Sequence, residues 1–162
     1  MKIQQQLAPF IWYQSGAEDA VAHYLKVFGA DQGRVTHTQH WGENAPGAAG
    51  TVMLLNFELL GLQMTAFNGG PHFKLNEAFS LTVAATDQAE IDHLWEQLPA
   101  GGGKPQACGW VKDAWGLSWQ IIPAAWFDMI RDPDPARVQR VFQAIWTMEK
   151  IDLAGLQRAY MG

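Results

Sequence analysis

The chain has 162 residues, a formal net charge of −5 and a pI near 5.4; that length suits one well-buried core. With 48% hydrophobic against 17% charged residues, eight Trp and eight Phe, it does not carry the signature of an unfolded chain. No stretch clusters Lys and Arg, which argues against nucleic acid, and no apolar run approaches the roughly 20 residues of a membrane span. Cys108 is the only cysteine, so there is no intramolecular disulfide and a reducing compartment fits. The start, Met1 to Gln6, lacks the apolar centre of a signal peptide, and a cytoplasmic protein is expected.

Leu7 to Tyr13 reads as a short buried strand ending at Gln14-Ser15-Gly16. Ala17, Ala20, Val21, Tyr24, Leu25 and Phe28 recur at helical spacing, with Ser15 as cap and Gly29 as stop. Arg34 to Trp41 is the next strand, Gly42 to Gly50 a loop, and Thr51 to Phe57 with Leu62 to Phe67 a hairpin. Beyond the turn residues Asn68-Gly69-Gly70-Pro71, a strand over Ala78 to Val83 precedes a helix from Asp87 to Leu98, where Asp87 and Glu90 resemble a capping pair. Strands over Ala107 to Lys112 and Leu117 to Pro123 follow. The order strand, helix, strands thus occurs twice, over about residues 1–70 and 71–123 of one domain. From Ala124 the pattern turns helical, with Asp134-Pro135 opening one helix and Asp152 preceding another, so 124–162 reads as a C-terminal helical extension.

Successive side chains of a strand point to opposite faces, so each strand divides into a covered and an open side. Phe79, Leu81 and Val83 oppose Ala78, Ser80 and Thr82; Leu62, Met64 and Ala66 oppose Gln63, Thr65 and Phe67; Leu117, Trp119 and Ile121 oppose Ser118, Gln120 and Ile122. If the polar rows face one way, they present amides and hydroxyls between apolar walls such as Ile11, Tyr13 and Phe67, the makeup of a small-molecule pocket. An ordinary half-solvated sheet alternates in the same way.

Several strings resemble the PhnB-like branch of the vicinal-oxygen-chelate (glyoxalase, bleomycin-resistance, dioxygenase) superfamily, also labelled 3-demethylubiquinone-9 3-methyltransferase. They are Ala8-Pro9-Phe10-Ile11-Trp12 with Ala17-Glu18-Asp19-Ala20, then Phe67-Asn68-Gly69-Gly70-Pro71-His72-Phe73 with Asn76-Glu77-Ala78-Phe79-Ser80. Cys108-Gly109-Trp110-Val111-Lys112-Asp113, Gly116-Leu117-Ser118-Trp119-Gln120-Ile121-Ile122-Pro123 and Met148-Glu149-Lys150-Ile151-Asp152 continue them. The resemblance implies an α+β fold of paired βαβββ modules forming a cupped mixed sheet, and commonly a homodimer. In metal-using members the ligands are His, Glu or Gln on the first and last strands of each module. Carried over, those places fall near Pro9 and at Gln63, Ser80 and Gln120. Proline cannot ligate, serine is a poor ligand and a neutral amide a weak one, so no metal site of the usual kind is expected.

Other chemistry is thinner. His37 and His40 lie three apart on a strand and so are expected on opposite faces, His23 and His93 sit on helices, and only His72, in the turn-rich segment, is a pocket candidate. Cys108 has no nearby base, so a buried or half-buried thiol is expected. Gly101-Gly102-Gly103-Lys104 lacks phosphate-loop spacing. Glu77 is the best-placed carboxylate for acid-base work, although an isolated Glu after a turn is usually just solvated. The methyl-transfer label fails its own test, because Gln14-Ser15-Gly16-Ala17-Glu18 is not the glycine-rich turn of a doubly wound cofactor fold.

The expectation is therefore a cytoplasmic, homodimeric, small-molecule-binding protein without metal or cofactor. Gln63, Ser80 and Gln120 would be its polar contacts, Tyr13, Phe67 and Trp110 its walls, and His72 would lie at its rim. The alternatives are an enzyme, either a metal-dependent lyase, isomerase or dioxygenase with altered ligands or the methyltransferase of the label, and a module that interacts through the helices after Pro123.

Overall fold

The computed structural model describes residues 7–162, so the start at Met1 to Gln6, read above for a leader, lies outside the described residues. The described residues divide into two compact units, one up to Leu75 and one from Asn76 to Gly162. Each carries the same succession of elements: β1 (Phe10–Tyr13), α1 (Ala17–Phe28), β2 (Gly33–His40), β3 (Val52–Leu59) and β4 (Leu62–Asn68) in the first. The second has β5 (Ser80–Ala85), α2 (Gln88–Gln97), β6 (Lys104–Pro105), β7 (Trp110–Lys112) and β8 (Ser118–Pro123), then α3 (Ala125–Met129), α4 (Pro135–Ile145) and α5 (Leu153–Met161).

The sheet orders are β1-β4-β3-β2 and β5-β8-β7-β6, one topology used twice. In each, the first strand runs parallel to the last and the remaining pairings are antiparallel. The α+β class and paired βαβββ modules follow directly.

Each helix covers one face of its own sheet. In the first unit Ala17, Ala20, Val21, Tyr24 and Val27 of α1 are buried, matched by Ile11, Tyr13, Leu55, Phe57, Leu59, Met64 and Ala66 from the strands. The helix starts differently from expectation. Its cap is Gly16 in the left-handed region, not Ser15, and the Ala17 amide donates to Asn68 Oδ1 at 2.9 Å. A side chain fifty-one residues away thus does the work of a local cap. Helix α2 begins as read: Asp87 Oδ1 accepts from the Glu90 amide at 2.9 Å, while Glu90 reaches back to the Thr86 amide.

The helices after Pro123 build a second apolar cluster in the same unit, from Ile122, Met129, Val141, Ile145, Ile151 and Leu156. Two of the strings that carry the resemblance meet in this unit. The Cys108 amide donates to Met148 O and the Gly109 amide to Glu149 O, both at 2.8 Å. Both residues adopt positive φ, which turns two successive amides toward the incoming segment. Gln88 of α2 completes the clamp by donating to Ile151 O at 3.1 Å and accepting from the Leu153 amide at 2.9 Å.

Two further differences have physical causes. Lys104–Pro105 pairs with β7 as a two-residue edge strand, a place where proline's missing donor costs nothing. In β2, register shifts between Val35 and His37 and between Gln39 and His40 place His40 opposite Val52 and His37 opposite Asn56. Only the first adds a residue to β2, at Thr36; the second adds Met53 to β3, so the alternation of β2 from His37 to His40 is uninterrupted.

Candidate functional site

Residues paired across strands share a face, so register alone lays out the side of the first sheet not covered by α1. Three rungs result. Arg34, Glu58 and Gln63 form a charged and polar one, His37, Asn56, Thr65 and Phe10 a mixed one, and Gln39, Leu54, Phe67 and Trp12 a largely apolar one. The aromatic rings cluster: Phe67 lies 5.5 Å from Phe10 and 4.9 Å from Trp12 between centroids, and Trp12 lies 4.9 Å from Phe73. Phe10 and Phe73 remain 59% and 64% exposed, so this aromatic surface is open to a ligand.

The site residues read from the sequence distribute unequally. Phe67 and Gln63 are on this face, but Gln63 Nε2 donates to Glu58 Oε2 at 2.7 Å, in the rung where Arg34 also reaches Glu58 at 3.4 Å. Tyr13 is not on it. Its ring lies under α1, 1% exposed, with its hydroxyl 3.0 Å from that of Tyr24. The same correction applies to Ile11, which is equally buried. On β1 the open positions belong to Phe10 and Trp12, which the sequence reading passed over together with Trp41, Asn56 and Phe73. The string Phe10-Ile11-Trp12-Tyr13 is apolar throughout and offers no polar partner to orient it; the signal is its parallel pairing with Thr65 to Asn68.

In the second unit, Ser80, Ser118 and Lys112 share one rung and Thr82, Gln120 and Trp110 the next, on the side opposite Leu81, Val83, Val111, Trp119 and Ile121. Gln120 Nε2 donates to Ser80 Oγ at 2.8 Å, so three sequence candidates, Ser80, Gln120 and Trp110, are brought together here. Gln120 Oε1 and the Ser80 hydroxyl hydrogen stay free for a ligand. At the margin, Glu77 is ion-paired with Lys112 and accepts from Gln106 at 3.3 Å.

The Lys112 ammonium, followed by a backbone hydrogen bond and Gln106, holds the Glu77 carboxyl below its ordinary 4.5. Because the folded value is the lower one, this pairing stabilises the fold above the unfolded value and is lost as pH falls below about 4.5 and through the folded value. Replacing Lys112 with Met is expected to raise the Glu77 value measured by carbon-detected NMR titration; an unchanged titration would assign the depression to the other groups.

His72 is exposed and lines a third feature, a recess of about 480 Å³ where β1 and β4 end. Its walls are the Gln14–Gly16 turn, the loop from Trp41 to Val52, and the Asn68–His72 turn. Asn68 braces them: besides capping α1, its Nδ2 donates to Glu18 Oε2 at 2.7 Å and to Val52 O at 3.0 Å. The two glycines after it are dictated by Trp12. A Cβ at Gly69 would overlap the Trp12 ring, and Trp12 Nε1 donates to Gly70 O at 2.9 Å while Gly70 takes a φ of 79°.

The positions that the resemblance assigns to metal ligands do not fit a divalent ion. Pro9 has no ligating side chain, Gln63 donates to Glu58, and the neutral Gln120 amide donates to the neutral Ser80 hydroxyl. Among the described residues, no group of three or more His, Cys, Asp and Glu side chains is placed to hold a metal ion.

Two βαβββ modules of one strand order, each with an uncovered face, define a glyoxalase-like fold. A model of the 3-demethylubiquinone-9 3-methyltransferase family matches residues 5–122, and the chain belongs to that family. A Bacillus cereus structure described as a putative 3-demethylubiquinone-9 3-methyltransferase, PhnB protein, aligns with a TM-score of 0.66 at 28% identity, over 74% of this chain and 100% of that one. A Pseudomonas aeruginosa protein aligns with a TM-score of 0.57 at 18% identity, over 72% and 95%, and at that identity shows the fold alone. No curated protein sequence matches. No helix among the described residues is long and apolar enough to cross a membrane.

Proposed function

We propose that each unit offers its own open sheet face to a small, uncharged, partly planar organic molecule, bound without a metal ion. The observation that carries this is the Gln120–Ser80 hydrogen bond beside Trp110. It fixes an amide so that one acceptor and one hydroxyl donor stand next to an indole, the pairing that orients a carbonyl- or hydroxyl-bearing ring. The aromatic cluster of Phe10, Trp12, Phe67 and Phe73 supplies stacking surface in the first unit. Gln63 is the further polar contact on the face of the first unit; His72, at the separate recess, and Tyr13, under α1, are not contacts of this reading.

The family description makes methyl transfer the competing reading. The turn after β1 holds a single glycine and places the Glu18 carboxylate at the start of α1, a poor cradle for a nucleotide-like cofactor. We take the protein to be a cytoplasmic homodimer, in keeping with its lone cysteine and the resemblance, with nucleic acid and membranes outside its partners.

Native mass spectrometry of protein purified without added ligand, alongside metal analysis, tests the reading. An organic adduct lost in Gln120→Ala, with affinity lowered about tenfold per hydrogen-bonding group removed, is the expected result. A stoichiometric divalent ion, or S-adenosylmethionine bound with similar affinity in wild type and Gln120→Ala, would overturn it.

A further inference from the structure

The recess at the ends of β1 and β4 is chemically unlike either sheet face. Its charged and titratable lining comprises one carboxylate, Glu18, and one imidazole, His72; no Lys or Arg is among its lining residues. The carboxylate is fixed, because Asn68 Nδ2 holds Glu18 Oε2 at 2.7 Å while the same side chain is tied to Ala17 N and Val52 O. Among the described residues that is Glu18's one hydrogen bond, so Oε1 keeps its lone pairs for an incoming donor. The Ala17 amide at the start of α1 is already taken by Asn68 Oδ1, and the Glu18 carboxylate in the lining disfavours an anion. A cation meets a prepaid acceptor. Around the carboxylate, Trp41, Pro46 and Pro71 supply apolar wall, and Gln14 supplies an amide. A volume of about 480 Å³ lies within the range of small-molecule sites.

We infer that this recess binds a small organic cation, an alkylammonium group whose nitrogen donates to Glu18 Oε1 while its chain lies against Trp41 and Pro71. Recognition rests on one charge-assisted hydrogen bond to a braced carboxylate plus apolar contact.

The test uses the full chain at pH 8, with n-butylammonium chloride as probe and n-butanol as its neutral counterpart, followed by amide NMR. Saturable shifts confined to Ala17, Glu18, Gly69, Gly70 and the Asn68 side-chain amide are expected with the cation, and about tenfold weaker binding in Glu18→Gln. That substitution keeps a carbonyl oxygen to accept from Asn68, so the brace is retained. Equal shifts with n-butanol, unchanged affinity in Glu18→Gln, or shifts that rise linearly without saturation would each overturn the inference.

Discussion

Asp113→Ala is expected to destabilise the protein by about 3–5 kcal/mol, the largest effect of any single side-chain truncation outside the apolar core. Asp113 lies in the turn between β7 and β8 and is 3% exposed. Its carboxylate accepts from the Trp115 amide at 2.9 Å, the Leu117 amide at 3.0 Å and Trp119 Nε1 at 3.0 Å. Leu117 and Trp119 are core residues, so alanine would leave several donors facing an apolar interior with no water to take them. Asp113→Asn keeps an oxygen acceptor and should lose less. Urea unfolding followed by tryptophan fluorescence reads both, and a loss below about 1 kcal/mol for Asp113→Ala would show that solvent reaches those donors.

Gly109→Ala is expected to cost about 2–4 kcal/mol, by strain and overlap together. The residue has a φ of 78°, and a Cβ there would stand 2.8 Å from Ile121 O and 2.9 Å from Ile151 Cγ1. The first neighbour is backbone of β8 and cannot step aside. Relief must come from the segment carrying Ile151, which the Cys108 and Gly109 amides hold through Met148 O and Glu149 O. Hydrogen exchange in α5 and at Leu153 should therefore accelerate along with the global loss. Unchanged exchange there would mean that the strain is absorbed within the β7 approach.

The polar rows of β5 and β8 were legible in the sequence because each strand alternates small polar with large apolar residues, and register puts Ser80, Thr82, Ser118 and Gln120 on one side, where Ser118 is fully buried and the other three are not. The opening of α4 was legible for a local reason, Asp134 accepting from the Ala136 amide with Pro135 behind it. What escaped depends on partners far away in the chain. Asn68 caps a helix that begins fifty-one residues before it. Asp113 looked like an ordinary turn residue until its three donors folded around it. The face of β1 could not be chosen from four apolar residues, which is why Tyr13 was placed on the wrong side and Trp12 overlooked. Periodicity reports which side of an element is greasy; it is silent on what a long-range hydrogen bond will recruit.

In each module the first strand waits for the last: β1 pairs with β4, and β5 with β8. Neither sheet can be completed by zipping up successive neighbours, so a long loop must close before the parallel edge is rewarded. On the ribosome, the first repeat has all its strands once Asn68 has been added, with more than half of the chain still untranslated. The second receives β8 much later, and the carbonyls that receive the Cys108 and Gly109 amides later still. Direction of synthesis therefore imposes a sequence in time on two copies of one topology, and a nascent chain stalled before Met148 carries a second repeat whose paired left-handed amides have nothing to hold.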